Sequence, residues 1–349
     1  MAIIRSKSSV FHLSLIALAI MAVTGCSSSG SSGSGSSNPP TDQVDSGKNG
    51  GNNGTDGNNN TSTDGNNDTG NEIDSPSFGN VNTLDGVAAG EIFELDSVSI
   101  QVSDSGGTFT LQSGPTLNSS ASIKVLSDDD NGNARLKVID PDNSIDITLT
   151  ETEEGIIYEG SNDARLELIS QSIEAQNILG PLLDYAAFGF WSVSGGAGNT
   201  NGNSNWFASG YTTQSSNMPD TGNATYSGVS QGFSLVDGEA YDVVGKVEMD
   251  VNFSDGDLQG NMADMRSGDS FSAANTPWNG VSFTGNVSGN VFSGSAQVTS
   301  SPNSTSLDND AAGDIQGRFY GPQAEEASAV WSLEDNNGNA AFGAFGARK

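Results

Sequence analysis

Histidine and cysteine are almost absent from this sequence of 349 residues, which contains one of each, His12 and Cys26. Both lie in an N-terminal leader or at its end, so the mature chain has no imidazole. This excludes Ser-His-Asp and Cys-His catalysis, and it excludes zinc sites built on histidine or cysteine. An internal disulfide is impossible, and a haem would need tyrosine or methionine as its ligand. We therefore expect no catalytic residues, no metal site, no cofactor and no enzyme.

Basic residues are also scarce, because 12 lysines and arginines stand against 43 aspartates and glutamates. Arg5 and Lys7 lie in the leader, which has no acidic residue, so 10 basic and 43 acidic groups remain, a net charge of −33. Such a surface argues against nucleic acid and anionic lipid as partners, since both bind basic faces. It favours a solvated surface or a basic partner, and the composition leaves both open.

The hydrophobic run Phe11–Val23 is too short to span a membrane. It follows a basic start and ends at Val-Thr-Gly-Cys26, which resembles a bacterial lipobox. The resemblance implies that residues 1–25 are a lipoprotein signal peptide. It also implies that Cys26 is lipidated with acyl chains such as palmitate, which would make a permanent anchor. The alternative is a cleaved export signal with a cysteine there by chance.

The segment after the cysteine has few aromatic or branched side chains and consists mainly of Ser, Gly, Asn, Asp and Thr. It cannot bury enough apolar surface to fold, so residues 26–72 are predicted to be a disordered Ser/Gly/Asn linker. As a flexible coil, its root-mean-square reach is roughly 40 Å. Ser27 and Ser28 follow the cysteine where an aspartate would suggest inner-membrane retention, so they favour the outer membrane.

Residues 73–180 alternate short apolar strands with turn residues, which predicts a small N-terminal antiparallel β domain. Asp128–Asn133 has half the pattern of a calcium loop, but the closing glutamate is replaced by Ile139. We therefore interpret this segment as an acidic hairpin turn. Gly180-Pro181 is a natural boundary before the next domain.

Residues 181–349 carry a second series of strands, which Tyr185–Val193 begins. In Val247–Phe253 and Val281–Val287 apolar residues alternate strictly with polar ones, as in an antiparallel sheet with one wet face. The chain ends on Ala341–Ala347, a strand of small apolar residues that needs neighbours on both sides. We therefore predict an all-β fold in which a C-terminal eight-stranded antiparallel β-barrel follows the first domain.

Two motifs in this region resemble the barrel domain of transferrin-binding protein B-like surface lipoproteins. The first opens the barrel, and its matching residues are Gly210, Thr213, Met218, Pro219, Gly222, Ala224, Tyr226 and Gly228. The second closes it, with matches at Gly317, Phe319, Tyr320, Gly321, Pro322, Ala324, Glu325, Gly343, Phe345, Gly346 and Ala347.

The resemblance implies a lipid-anchored protein of the bacterial outer membrane that faces outside. It implies capture of a protein or haem-type ligand from the host or environment, which is passed to an outer-membrane receptor. A TonB-dependent receptor and a surface lipoprotein assembly modulator would be partners, and the first β domain would be handle-like. The alternative is a structural or adhesive surface lipoprotein without transported cargo.

The predicted partner-binding site is Asn261–Asn279, an irregular stretch of the barrel region. Arginine, methionine and aromatic side chains are favoured at interface centres, and the stretch provides Met262, Met265, Arg266, Phe271 and Trp278. The alternative is that Met262 and Trp278 end strands and pack on the barrel rim. Asn199–Trp206 is a second candidate loop.

Overall fold

The computed structural model describes residues 83–104, 108–153, 155–172, 175, 177, 183–194, 201–271 and 274–349. The predicted signal peptide 1–25, lipidation at Cys26 and linker 26–72 lie outside these residues and stay predictions. Nineteen β-strands dominate the described residues, so the predicted all-β class is confirmed. Within the same ranges, no helix is long and apolar enough to cross a membrane.

The first sheet has ten antiparallel strands in the order β1-β4-β5-β6-β7-β8-β9-β10-β2-β3. β1 lies at one edge and β2 lies next to the other edge, yet only Leu95 separates these two strands in the chain. The sheet must therefore curl until its two ends come close together. Its strands are β1 (Ile92–Glu94), β2 (Asp96–Asp104), β3 (Phe109–Asn118), β4 (Ser122–Leu126), β5 (Arg135–Asp140), β6 (Ile145–Glu151), β7 (Ile157–Gly160), β8 (Arg165–Glu167), β9 (Ala186–Ser194) and β10 (Asn201–Gly210).

The second sheet is the predicted eight-stranded antiparallel barrel, which is confirmed. It runs β12-β11-β19-β18-β17-β16-β15-β13 and closes where β12 pairs with β13, while the two-residue β14 adds to β13. Its strands are β11 (Asn223–Val236), β12 (Glu239–Asn252), β13 (Asp257–Gly268), β14 (Thr276–Pro277), β15 (Gly280–Ser288), β16 (Val291–Ser300), β17 (Ala312–Tyr320), β18 (Glu326–Glu334) and β19 (Ala340–Arg348).

One part of the strand assignment differs from the sequence expectation. We expected Tyr185–Val193 to begin the barrel, but β9 and β10 pair with β8 and β2 in the first sheet. Both faces of β9 are apolar over Ala186–Trp191, so period alone cannot reveal which sheet contains this strand. The division of the chain into two domains, 73–180 and 181–349, stays a prediction. In the structure, the chain passes from the first sheet to the second between β10 and β11.

Three apolar cores follow from this arrangement. Inward side chains such as Trp331 and Phe345 fill the barrel, and Trp191 and Phe207 lie in the core inside the curled first sheet. The third core lies between the sheets, where Trp206 of β10 contacts Phe233 of β11 with ring centroids 5.2 Å apart. We call the outward face of β11, β18 and β19 the buried wall, because the first sheet covers it; its apolar residues are Val229, Phe233, Leu235, Val330, Phe342 and Ala344.

Two hairpins, one in each sheet, use the same five-residue turn, Asp-x-Asn-Gly-Asn. In the β4–β5 turn the Asp129 carboxylate accepts the amides of Asn131 (2.8 Å) and Asn133 (2.9 Å). In the β18–β19 turn Asp335 accepts the amides of Asn337 and Asn339, both at 2.9 Å. These bonds make an Asx-type turn, so the acidic hairpin predicted at Asp128–Asn133 is present.

Candidate partner-binding surface

The two predicted motifs meet at a junction between the sheets. Gly210 ends β10 and leads into Thr213, while Tyr320 ends β17 and leads through Ala324 to β18. The Thr213 backbone amide donates to the Phe319 carbonyl at 2.9 Å, and its hydroxyl donates to the Gly321 carbonyl at 2.7 Å. A Cβ on Gly210, whose φ is 137°, would lie 2.1 Å from a backbone oxygen, so glycine is required there. These motif residues therefore have a structural role.

A buried glutamate strengthens the same junction. The Glu326 side chain, 3% exposed, accepts the backbone amides of Asp184 (2.7 Å), Tyr185 (2.9 Å) and Ala186 (2.8 Å). Burial raises the pKa of Glu326, although the three amides favour its ionised form. We assigned the motif glutamate to Glu325, but that carboxylate accepts only the nearby Gln323 amide among the hydrogen bonds described for it.

An ion pair on β17 makes a further link to the first sheet. The Arg318 guanidinium donates from Nε to the Asp96 carboxylate at 2.9 Å and from Nη1 to Glu94 at 3.2 Å. Asp96 is only 2% exposed and also accepts the Gln316 side-chain amide at 2.9 Å. Since a charge this buried must be paired, this contact fixes β17 against the start of β2.

The predicted binding loop Asn261–Asn279 is largely a strand. β13 extends to Gly268 and β14 occupies Thr276–Pro277, so most of the stretch is paired in the barrel. Three of the five predicted residues point inward and are 1–3% exposed, namely Met262, Met265 and Trp278. The sequence misled us because alanine and aspartate interrupt the alternation where a bulge shifts the β12–β13 register.

The other predicted residues take different positions. Arg266 is exposed, and its guanidinium donates to the Asn275 carbonyl at 3.1 Å. Phe271 is half-buried beside Trp206 and Phe233, with ring centroids 6.1 Å from each. The second candidate, Asn199–Trp206, is not a loop over its described part, which belongs to β10. A binding role for these residues stays a prediction, and Arg266 is the member of the five that is most open to a partner.

Another part of the barrel's outer surface is polar, in contrast to the apolar buried wall. We call it the free wall, and it is the outward face of β12, β13, β15 and β16, formed by Lys246, Glu248, Asp250, Asp257, Gln259, Asn261, Ser282, Thr284, Asn286, Ser293, Ser295 and Gln297. Strand pairing places Asp250, Gln259, Thr284 and Ser295 side by side in one row across it. The alternation in the sequence predicts these outward side chains, but they lack the methionine and aromatic side chains on which the predicted binding site was based.

A groove of about 890 Å³ follows this row from Thr225 on β11 to Ser295 on β16. Its charged residues are Asp250, which accepts the Thr225 hydroxyl at 2.6 Å, and Asp257, which accepts the Asn286 amide at 3.1 Å. Gly285 and Gly294 pair beneath the groove, and a Cβ on either would approach the other strand's backbone to 2.3 Å or less. The free wall therefore offers hydrogen-bonding and acidic groups on a closely packed scaffold.

The fold and this surface define a class: a β lobe in which a curled sheet packs against a closed barrel whose other side is open to partners. Comparison with known proteins shows which proteins the barrel is similar to. Residues 218–349 match the model of the C-lobe and N-lobe β-barrels of Tf-binding protein B. The predicted resemblance of the C-terminal barrel to this family is therefore confirmed.

Among the curated relatives, transferrin-binding protein B of Haemophilus influenzae is 32% identical over 169 residues, 44% of this chain and 26% of the relative. The chain thus spans about a quarter of that relative's length. A transferrin-binding protein B structure from Haemophilus parasuis has a TM-score of 0.43 at 18% identity, covering 73% of this chain and 45% of that one. One from Neisseria meningitidis has a TM-score of 0.35 at 13% identity, covering 73% and 76%.

Proposed function

We infer that this protein is a surface lipoprotein of the bacterial outer membrane that binds a protein ligand through the free wall of its barrel. The observation that carries this proposal is the division of the barrel into two sides. The junction residues and the buried wall are committed to the first sheet, whereas the polar groove on the free wall is accessible. The match of the barrel to Tf-binding protein B supports capture of a host protein.

A protein ligand suits this surface better than a haem-type ligand. Inward side chains such as Phe283, Trp331 and Phe345 fill the barrel, so the groove is on its outside. The groove has two carboxylates and many neutral hydrogen-bonding groups, which suit a partner with basic residues. Transfer of the ligand to a TonB-dependent receptor, and export by a surface lipoprotein assembly modulator, are finer parts of the same proposal.

Anchoring by acyl chains on Cys26 completes the proposal, with residues 26–72 as the tether. Cell fractionation of wild type and Cys26→Ser tests this part. Wild type should sediment with outer membranes, and Cys26→Ser should be released from them. Sedimentation of Cys26→Ser with membranes would contradict lipid anchoring.

The binding site is tested by a pull-down from serum and culture medium with matched variants. Lysine substitutions at Thr225, Gln259 and Thr284 should abolish capture, because they reverse the charge of the groove. The control carries lysines at Thr110, Gln112 and Thr116, exposed residues of the same types on β3 of the first sheet. Equal loss in both variants would place the site elsewhere, and no capture by wild type would favour the structural or adhesive alternative.

A further inference from the structure

The interior of the curled first sheet contains a second recess, far in sequence from the free wall. A cavity of about 250 Å³ lies among apolar side chains of the residues before β1 and of β1, β4, β5 and β10. Val87, Phe93, Val125 and Leu168 are half-buried around it, and Phe207 forms its fully buried side. Apolar cavities of this size bind small apolar molecules, because water gains few hydrogen bonds inside them.

One polar group in the cavity wall has no partner. The side-chain nitrogen Nε2 of Gln171 is buried, and it forms no hydrogen bond within the part of the chain that the structure describes. Buried donors are normally satisfied, so an unpaired one in a cavity wall indicates a missing acceptor. A ligand that places a carbonyl oxygen near Gln171 would supply this acceptor.

The charges near the cavity restrict the ligand further. Its lining includes Asp85 but no lysine or arginine. Tyr158, which also lines it, has its pKa raised to about 12 by burial and by the negative charge of Glu151. Carboxylates and phosphates are therefore disfavoured, because they would be buried near negative charge without a basic partner.

We propose that this cavity binds a small uncharged carbonyl compound, with its apolar body among Phe93, Val125 and Phe207 and its oxygen accepting from Gln171. An apolar cavity of about 150 Å³ is large enough to bind benzene, so this cavity of about 250 Å³ has room for a single ring with a short substituent. The proposal does not depend on partner binding by the free wall.

Titration of the full chain with three probes of matched shape tests the proposal: acetophenone, ethylbenzene and benzoate. Binding is followed by methyl chemical shifts of Val125 and Leu168 in nuclear magnetic resonance spectra. We expect acetophenone to bind about tenfold more tightly than ethylbenzene, which lacks the acceptor, and benzoate not to bind. Failure of both neutral probes to bind, or binding of benzoate equal to that of acetophenone, would overturn the proposal.

Variants locate the probe. Gln171→Leu should reduce the affinity for acetophenone to that for ethylbenzene, whereas Gln297→Leu, on the barrel exterior, should change neither. Ala187→Phe should fill the cavity and abolish binding of both neutral probes, and Val87→Trp does the same from the other side if Ala187→Phe does not fold. Unchanged preference in Gln171→Leu, or unchanged binding in the cavity-filling variant, would contradict the assignment.

Discussion

The buried wall and the free wall of the barrel share an interior but differ in their outer faces. On β18 and β19 the outward residues are apolar or small, as at Val330 and Phe342, and the first sheet covers them. On β13 and β15 the outward residues are polar and largely exposed, as at Gln259 and Thr284. Alternation therefore identifies the inner face of a barrel strand, whereas the composition of the outer face indicates whether another layer covers it.

The same substitution on the two walls should have the largest difference in effect. Ser328 on β18 is 0% exposed, and its hydroxyl donates to the Phe345 carbonyl at 2.7 Å, whereas Ser295 on β16 is exposed. Ser328→Lys buries an unpaired charge and should lower the free energy of unfolding by about 4 kcal/mol. Ser295→Lys should change it by less than about 0.5 kcal/mol. Urea denaturation measures both, and similar values would contradict the difference between the walls.

The two adjacent glutamates of the junction offer the next contrast. Glu326→Gln replaces one acceptor oxygen by an NH₂ group that faces backbone amides, so it should cost about 3 kcal/mol. Glu325→Gln keeps one acceptor oxygen for the Gln323 amide and should cost less than about 0.5 kcal/mol. Thermal unfolding of the two variants gives the comparison. A larger effect at Glu325 would mean that the first sheet is not held to the barrel by Glu326.

The sequence predicted the barrel well because strands such as β12 and β15 alternate strictly, and because strong turn residues such as Asp255-Gly256 and Gly289-Asn290 separate the strands. It predicted the sheet of β9 and β10 poorly, since a strand that is apolar on both faces, as β9 is, carries no period that identifies its sheet. The candidate site was predicted only in part. Selecting methionine and tryptophan favoured residues that the structure places inside the barrel, because interfaces and cores prefer the same side chains.

A buried carboxylate where the barrel faces the first sheet should make stability depend on pH. Asp242 on β12 is 0% exposed, and neither of its oxygens has a hydrogen bond of normal geometry, although the Phe271 amide lies close enough to favour the ionised form. Burial, followed by the negative charge of Glu167, raises the pKa of Asp242 to about 8. The native state therefore retains a proton that the unfolded chain releases near pH 4.

The contribution of Asp242 to the free energy of unfolding should consequently be highest below about pH 4 and should fall as the pH rises to about 8. Asp242→Asn removes this dependence and should be more stable than wild type at pH 8, with no gain at pH 4. Histidine is the side chain that ordinarily titrates between pH 6 and 8, and the one histidine of the sequence, His12, lies in the predicted signal peptide. Urea denaturation at several pH values measures the slope, and an equal slope in both proteins would show that Asp242 is not its source.

The smallest effects are expected from the Asp-x-Asn-Gly-Asn turns, of which each sheet has one. Asp335 also accepts the Asp308 amide at 3.2 Å, so it joins two connections of the barrel, whereas Asp129 serves its own hairpin alone in the described contacts. Hydrogen bonds lower the pKa of both carboxylates, and at Asp335 they outweigh burial. Both turns should therefore stabilise the fold above about pH 4 and lose this contribution as the pH falls further.

Asp335→Ala should lower the free energy of unfolding by about 1 kcal/mol at pH 7. Asp129→Ala should lower the melting temperature by less than Asp335→Ala does. At pH 3 both variants should approach wild type, because the native carboxylates are then partly protonated as well. Differential scanning calorimetry at the two pH values measures this. A larger loss in Asp129→Ala would mean that the turn in the first sheet, rather than the one in the barrel, carries more of the stability.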